Sequence, residues 1–219
     1  MGRIMLEVKL FWSSLINASI FLIFCQVFAV IILQPWHFVP FIQPIHVQLI
    51  YEYVFPLVVV FLMSPLFTAE TSKETSGWFM SLPYRSIAYF VARWLLSLCM
   101  IFALFLGSIL VIHVWVLPIP FLSFSFHVLP PALWLGHLAL LVSLIGRSYV
   151  AGLGAALFYW VTESLTSGAI TNTFYLFSKY TSSDPEFALS RYLFIFCSIG
   201  AVIFALLLFC QRHYYSSRT

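Results

Sequence analysis

Charge is what this chain of 219 residues has least of: Asp, Glu, Lys and Arg make up only 8% of it. A soluble domain carries about a quarter charged residues. Hydrophobic residues reach 63%, and one soluble core does not account for that excess. Runs of roughly 20 apolar residues that cross a bilayer do. Catalytic signatures are missing too. The chain has no G-x-x-x-x-G-K-[ST], so it carries no nucleotide-hydrolysing loop of that type. It has no H-E-x-x-H, no G-x-S-x-G and no pair of intramembrane acids with a matching His, which leaves a protease unsupported. Cys25, Cys99, Cys197 and Cys210 lie in apolar runs without a C-x-x-C pair and read as small buried hydrophobes. No basic patch offers itself to nucleic acid, and no linker, low-complexity run or soluble domain is visible. The expectation is an all-α integral membrane protein with one domain over residues 1–219.

What is present is a series of long apolar segments. Six candidate spans run approximately Ser13–Gln34, Gln48–Thr68, Ser86–Ile112, Phe126–Ile145, Tyr149–Ser167 and Arg191–Gln211. Backbone groups in lipid must be satisfied internally, and no alternating pattern suggests a barrel, so these are read as helices. The first is too long for a signal-peptide core, and Gln34-Pro35-Trp36-His37 follows it in place of a small-residue cleavage site.

Lys and Arg set the expected orientation. With the N-terminus in the cytoplasm, Arg3, Lys9, Lys73, Arg85, Arg93, Arg147, Arg212 and Arg218 fall inside or at the inner boundary. Only Lys179 and Arg191 fall outside, and the connections near 35–47 and 113–125 contain neither residue type. Both termini are then cytoplasmic.

Before the first span, Ile4, Val8, Phe11 and Leu15 recur at three- and four-residue steps, with Arg3 and Glu7 on another face. That pattern predicts an amphipathic helix in the inner interface, or else a plain extension of the span. His37 and His46 in the proline-broken first outer connection are too few for a metal site. Trp115 and Trp134 are candidate anchors at the outer interface. His137, alone in an apolar setting, reads as a helix–helix hydrogen-bonder.

The turn Gly146-Arg147-Ser148 predicts a tight cytoplasmic hairpin, and Gly152-x-x-x-Ala156 after it permits close helix approach. Glu163 lies about fourteen residues beyond that turn, which at about 1.5 Å per residue puts it about 20 Å up, in the outer half of the hydrocarbon. It is the one carboxylate expected inside the membrane, with polar neighbours Thr162, Ser164 and Thr166. Three readings stand for it: a counter-charge for substrate, a partner for Lys179 or Arg191, or a protonated helix–helix hydrogen-bonder. Glu52, at the outer end of the second span, reads as a solvated headgroup-level residue or, with Glu163, Thr162 and Ser164, as part of a substrate route. Residues 170–180, rich in Phe and Tyr, read as an interfacial or re-entrant helix. Asp184-Pro185-Glu186 then breaks the chain before the last span.

The longest polar interruption is FTAETSKETSGWFMSLPYRSIAYFVAR, Phe67 to Arg93. Charges (Glu70, Lys73, Glu74) lead into Gly77 and the apolar Trp78, Phe79, Met80 and Leu82. Pro83 lacks an amide donor, restrains its predecessor and ends the helix, and Arg85 follows. Six spans, an interfacial N-terminal helix and this stretch together resemble the membrane subunit of ABC-2 type exporters. In that family the first cytoplasmic loop holds a Glu-led helix, a Pro thirteen residues on, Ser or Arg after it, and a basic residue starting the next span; Glu70, Pro83, Arg85-Ser86 and Arg93 match here. Glu74 and Gly77 depart from it, standing where the family commonly has Gly and Glu.

The resemblance implies a permease of six transmembrane helices in a bacterial plasma membrane, with a cytoplasmic coupling helix between spans 2 and 3. Glu70, Lys73, Glu74, Gly77, Trp78, Phe79, Leu82, Pro83 and Arg85 would contact a separate ATPase subunit. It also implies two such ATPases, which carry the ATP and Mg, and a second permease copy; this chain would bind no cofactor. Export of an amphipathic or hydrophobic substrate would follow, with a haem-export-type permease as a neighbour within the class. A stand-alone membrane protein, either an immunity or scaffold subunit or a small secondary carrier, is the reading from another class. No convincing internal repeat supports the carrier.

Overall fold

The computed structural model describes residues 14–33, 42–67, 86–169, 171, 174–177 and 185–216. The expected interfacial helix before residue 14, His37 and the whole Glu70–Arg85 stretch lie outside the described residues. Those that are described form six α-helices and no strand: α1 (Ser14–Ile32), α2 (Pro44–Met63), α3 (Ser86–Trp115), α4 (Phe121–Gly146), α5 (Tyr149–Thr166) and α6 (Pro185–Ser216).

Five of these, all but α5, are long and apolar enough to cross a membrane. The protein is thus all-helical and has the features of a multi-pass membrane protein. α5 is the shortest of the six and its last turn, Thr162-Glu163-Ser164-Leu165-Thr166, is polar.

Prolines explain where the ends depart from the hydropathy reading. α2 starts at Pro44, four residues before Gln48, with Gln43 extended and in a reciprocal capping arrangement with His46. α3 runs on to Trp115 because no proline intervenes before Pro118. Pro120 is the N-cap of α4, and the Phe124 amide donates to its carbonyl at 3.0 Å. Pro185, expected to break the chain before the last span, instead opens α6 with Glu186 in the first turn. A proline at the first helical position loses no intrahelical bond there.

α4 is the central helix, packed against α2, α5 and α6, and α1 lies on α2 and α3. Its membrane-length window is 61% buried against 22% for α6, so α6 presents most of its surface outward. Pro130 and Pro131 lie inside α4, and its neighbours hold the helix together where two amides are missing. The core packs Tyr51 and Phe55 of α2 edge-on or tilted against Phe105 of α3 and Phe124 of α4. At the other end Phe67 stacks on Phe90, with Phe209 beside both. Arg93 is buried there; its Nη1 donates to Tyr89 Oη at 2.8 Å and its guanidinium lies over the Phe67 ring.

Two expectations about outward-facing residues change. Cys25 and Cys99 are exposed on the bundle surface, and Cys197 and Cys210 are half-exposed. A thiol is small and apolar enough to face lipid as well as core. Trp115, 80% exposed at the end of α3, suits an interfacial anchor. Trp134 does not, because it lies in the middle of α4 with its Nε1 buried.

Candidate functional site

Ionisable side chains from three helices converge at one end of the bundle. The first is on α2. Pro56 has no amide to give the Glu52 carbonyl four residues back, and its ring pushes against that turn. That carbonyl is left without its intrahelical donor, and one residue on the Trp160 indole of α5 donates to the Tyr53 carbonyl at 3.0 Å. Glu52 is 1% exposed, and Gln48 Nε2, one turn earlier, donates to its Oε1 at 2.8 Å. The expectation of a solvated headgroup-level carboxylate is wrong: the rest of the bundle covers this turn.

The second side chain is on α5, whose start is well specified. Arg147 takes a left-handed conformation (φ 52°) and the Ser148 hydroxyl caps the helix by accepting from the Val150 amide at 3.2 Å. Gly152 then lies against the backbone of α4, where an added Cβ would collide with Ser143 Oγ and the Ala139 carbonyl. Held that closely, α5 runs back along α4 to the level of Tyr53 and delivers Glu163 to its last turn. Glu163 is 0% exposed, and neither carboxylate oxygen has a hydrogen-bond partner among the described residues.

The third is Arg191, expected at the outer margin of the last span. Because α6 begins at Pro185, it sits inside the helix and is 1% exposed. Its Nη1 donates to the Leu176 carbonyl at 3.2 Å, and its guanidinium lies over the Phe187 and Phe194 rings at 4.9 and 5.9 Å. Among the described residues, Glu52 is the opposite charge that acts on it. The suggested Glu163–Arg191 pair is therefore not formed, and Lys179 lies outside the described residues.

The chain between α5 and α6 closes over this end. Gly168 (φ 75°) follows the left-handed Ser167, and a Cβ on it would meet the Tyr175 ring at 2.8 Å, so the ring rests on bare backbone. Phe177 stacks on Tyr53 with ring centroids 4.0 Å apart, and Tyr175 and Trp160 both pack edge-on to Phe177. Tyr159 Oη donates to the Phe174 carbonyl at 2.7 Å. Burial pushes the Tyr175 hydroxyl above its ordinary value, and Tyr53, Glu163 and Glu52 add to the shift, so both carboxylates act on the same ring. In the described part of the expected re-entrant segment, Phe174 is in a 3-10 turn, its amide donating to the Thr171 carbonyl at 3.0 Å, and no α-helix forms over Tyr175–Phe177.

Of the predicted route residues, the structure brings Glu163 and Glu52 to this common end. Thr162 and Ser164 are on the same helix, but their hydroxyls donate to the Phe158 and Trp160 carbonyls at 2.8 and 2.9 Å. They are satisfied within α5. Arg191, Gln48, Tyr53, Trp160 and Tyr175 were not singled out as a group. The spacing Gln48, Glu52, Pro56 was the available signal, three polar or amide-lacking residues on one face of an apolar helix. Among the described residues no three His, Cys, Asp or Glu side chains converge as metal ligands.

Elsewhere, His137 of α4 accepts a hydrogen bond from Trp94 Nε1 of α3 at 3.1 Å, the helix–helix role expected of it. Both residues border an apolar groove of about 370 Å³ between α3, α4 and α6. No family model, no curated protein and no solved structure matches this chain.

Proposed function

We propose that this chain is the membrane subunit of an ATP-binding cassette exporter of the ABC-2 type, moving an amphipathic or hydrophobic substrate by alternating access. Two separate ATPase subunits would supply ATP and Mg, and a second permease copy would complete the transport path. The observation that carries the reading is the stretch Glu70…Pro83, Arg85, Arg93 between α2 and α3, a Glu-led, proline-ended segment joining two apolar helices. Its aromatic residues suit a groove on a partner and its charges suit the rim of that groove.

α5 serves as the sixth span in this reading. Its 18 residues reach about 27 Å at about 1.5 Å each, close to the thickness of the hydrocarbon. Its course beside α4, from the Gly146 turn to the level of Tyr53, supports a crossing. Both termini then lie in the cytoplasm and the Glu52–Glu163–Arg191 end faces outward.

The reading is tested by purifying the full-length chain from its own host membranes in mild detergent. An ATPase should co-elute at equal stoichiometry, and Trp78→Asp should abolish the association while leaving a monodisperse membrane protein. A wild-type chain that transports without any ATPase would replace this reading with the stand-alone one. The ionisable cluster in an apolar interior is the observation that favours a carrier of that kind.

A further inference from the structure

Charge accounting among the described residues at this end leaves one carboxylate over. Glu52 has Gln48 as a donor and Arg191 as its opposite charge. Arg191 in turn is occupied by the Leu176 carbonyl and two aromatic rings. Glu163 is 0% exposed, has no hydrogen-bond partner among the described residues and shares this end with them. A carboxylate held in a protein interior without a counter-charge is strongly unfavourable. The fold nonetheless specifies its position through the Gly152 contact, eleven residues or about three turns away. A position built with such precision and left uncompensated is a site for a cation.

The surroundings select the kind of cation. A hard metal ion needs several oxygen ligands, and no third acidic or His side chain joins the two carboxylates among the described residues. Aromatic rings are abundant instead. Tyr159 and Tyr175 lie within the field of Glu163, and Trp160, Phe177 and Tyr53 pack next to them. Ring faces attract weakly hydrated organic cations. One further polar atom of this end, Thr171 Oγ1, is buried without a hydrogen-bond partner among the described residues and can bond a polar group on the same molecule.

We propose that Glu163 and the aromatic side chains around it form a binding site for an organic ammonium group, with Glu163 as the counter-ion. In the permease reading this names the cargo class as an amphipathic molecule with a cationic head. The site itself does not depend on that reading, because binding requires no ATPase.

Saturable binding of choline, tetraethylammonium and phenethylamine, each tritiated, would be measured on the purified chain in detergent. At least one of the three should bind wild type, and Glu163→Gln should weaken it at least tenfold. On wild type, 3,3-dimethylbutanol, the uncharged isostere of choline, should compete at least tenfold less well than choline. That comparison carries the test if the Gln variant does not fold. Absence of binding by all three ammonium compounds, equal competition by the neutral isostere, or unchanged affinity in a folded Glu163→Gln protein overturns the proposal. Any of these outcomes leaves ATPase co-purification, and with it the permease reading, untouched.

Discussion

Arg191 and Glu52 are both buried in the bundle, and the opposite charge of Glu52 acts on Arg191. Removing one partner of a buried pair typically costs 3–5 kcal/mol, most of it from the charge left behind. The second carboxylate breaks the symmetry between the two deletions. Glu52→Gln leaves Arg191 at an end that still holds Glu163, whereas Arg191→Gln leaves two carboxylates with no cation among the described residues. Arg191→Gln should therefore be the more damaging of the two, with a loss of about 3–5 kcal/mol, and Glu52→Gln in the same background should recover part of that loss. SDS titration of the folded protein in mixed micelles measures all three variants. Equal losses that simply add would show that the two groups are not coupled. At this scale the sequence was only half legible. Glu163 stood out as a carboxylate in an apolar run, but Glu52 looked like a boundary residue because hydropathy locates a span end without showing what covers it. Arg191 was misjudged for a related reason: its depth depends on Pro185 starting the helix, and a proline next to Asp184 reads equally well as a break.

Among the elements, α5 depends most on a single contact. Gly152 touches the backbone of α4, so a β-branched side chain there has no soft neighbour to displace, and overpacking of this sort costs about 1–3 kcal/mol. Gly154, two residues on, has nothing within 4 Å of an added Cβ. Gly152→Val should prise α5 from α4, lower thermal stability in detergent and, by moving Glu163, abolish ammonium binding. Gly154→Ala should be neutral or stabilising by up to about 1 kcal/mol, the difference in helix propensity. Similar losses in both variants would mean that glycine flexibility in α5 matters more than its close approach. The small-residue spacing Gly152-x-x-x-Ala156 announced this contact correctly, as the short Gly146-Arg147-Ser148 turn announced the hairpin. The sequence was silent on the contact between Trp160 and Tyr53. That bond needs the α2 carbonyl near Pro56 and the α5 indole at the same depth, a coincidence of two helices that no local pattern records.

At the scale of the whole molecule, the number of crossings decides which face of the membrane carries the Glu163 end and the C-terminus. The distribution of Lys and Arg does not settle this. Keeping α5 from crossing exchanges Lys179 and Arg191 for Arg212 and Arg218, and the balance between the two faces is unchanged. Depth along the bundle is the better argument. Gly136 of α4 lies level with Val59 and Met63 of α2, and Gly152 of α5 lies level with Ala139 and Ser143. Trp160 has then reached Tyr53, at the middle of α2, and α5 runs a further six residues to Thr166. An α5 that only dipped into one leaflet would not pass through all of these levels. Single cysteines at Ser72, Ser167 and Ser183, in a chain whose Cys25, Cys99, Cys197 and Cys210 are replaced by Ala, test this with a membrane-impermeant maleimide. Ser72→Cys should label only from the cytoplasmic side, and Ser167→Cys and Ser183→Cys only from outside. If all three label from the cytoplasmic side, α5 is a half-membrane helix, the chain crosses five times, and the ammonium site opens to the cytoplasm. If Ser167→Cys alone resists both sides while Ser183→Cys labels from outside, six crossings stand, and the end of α5 is sealed under the Tyr175 ring that rests on Gly168.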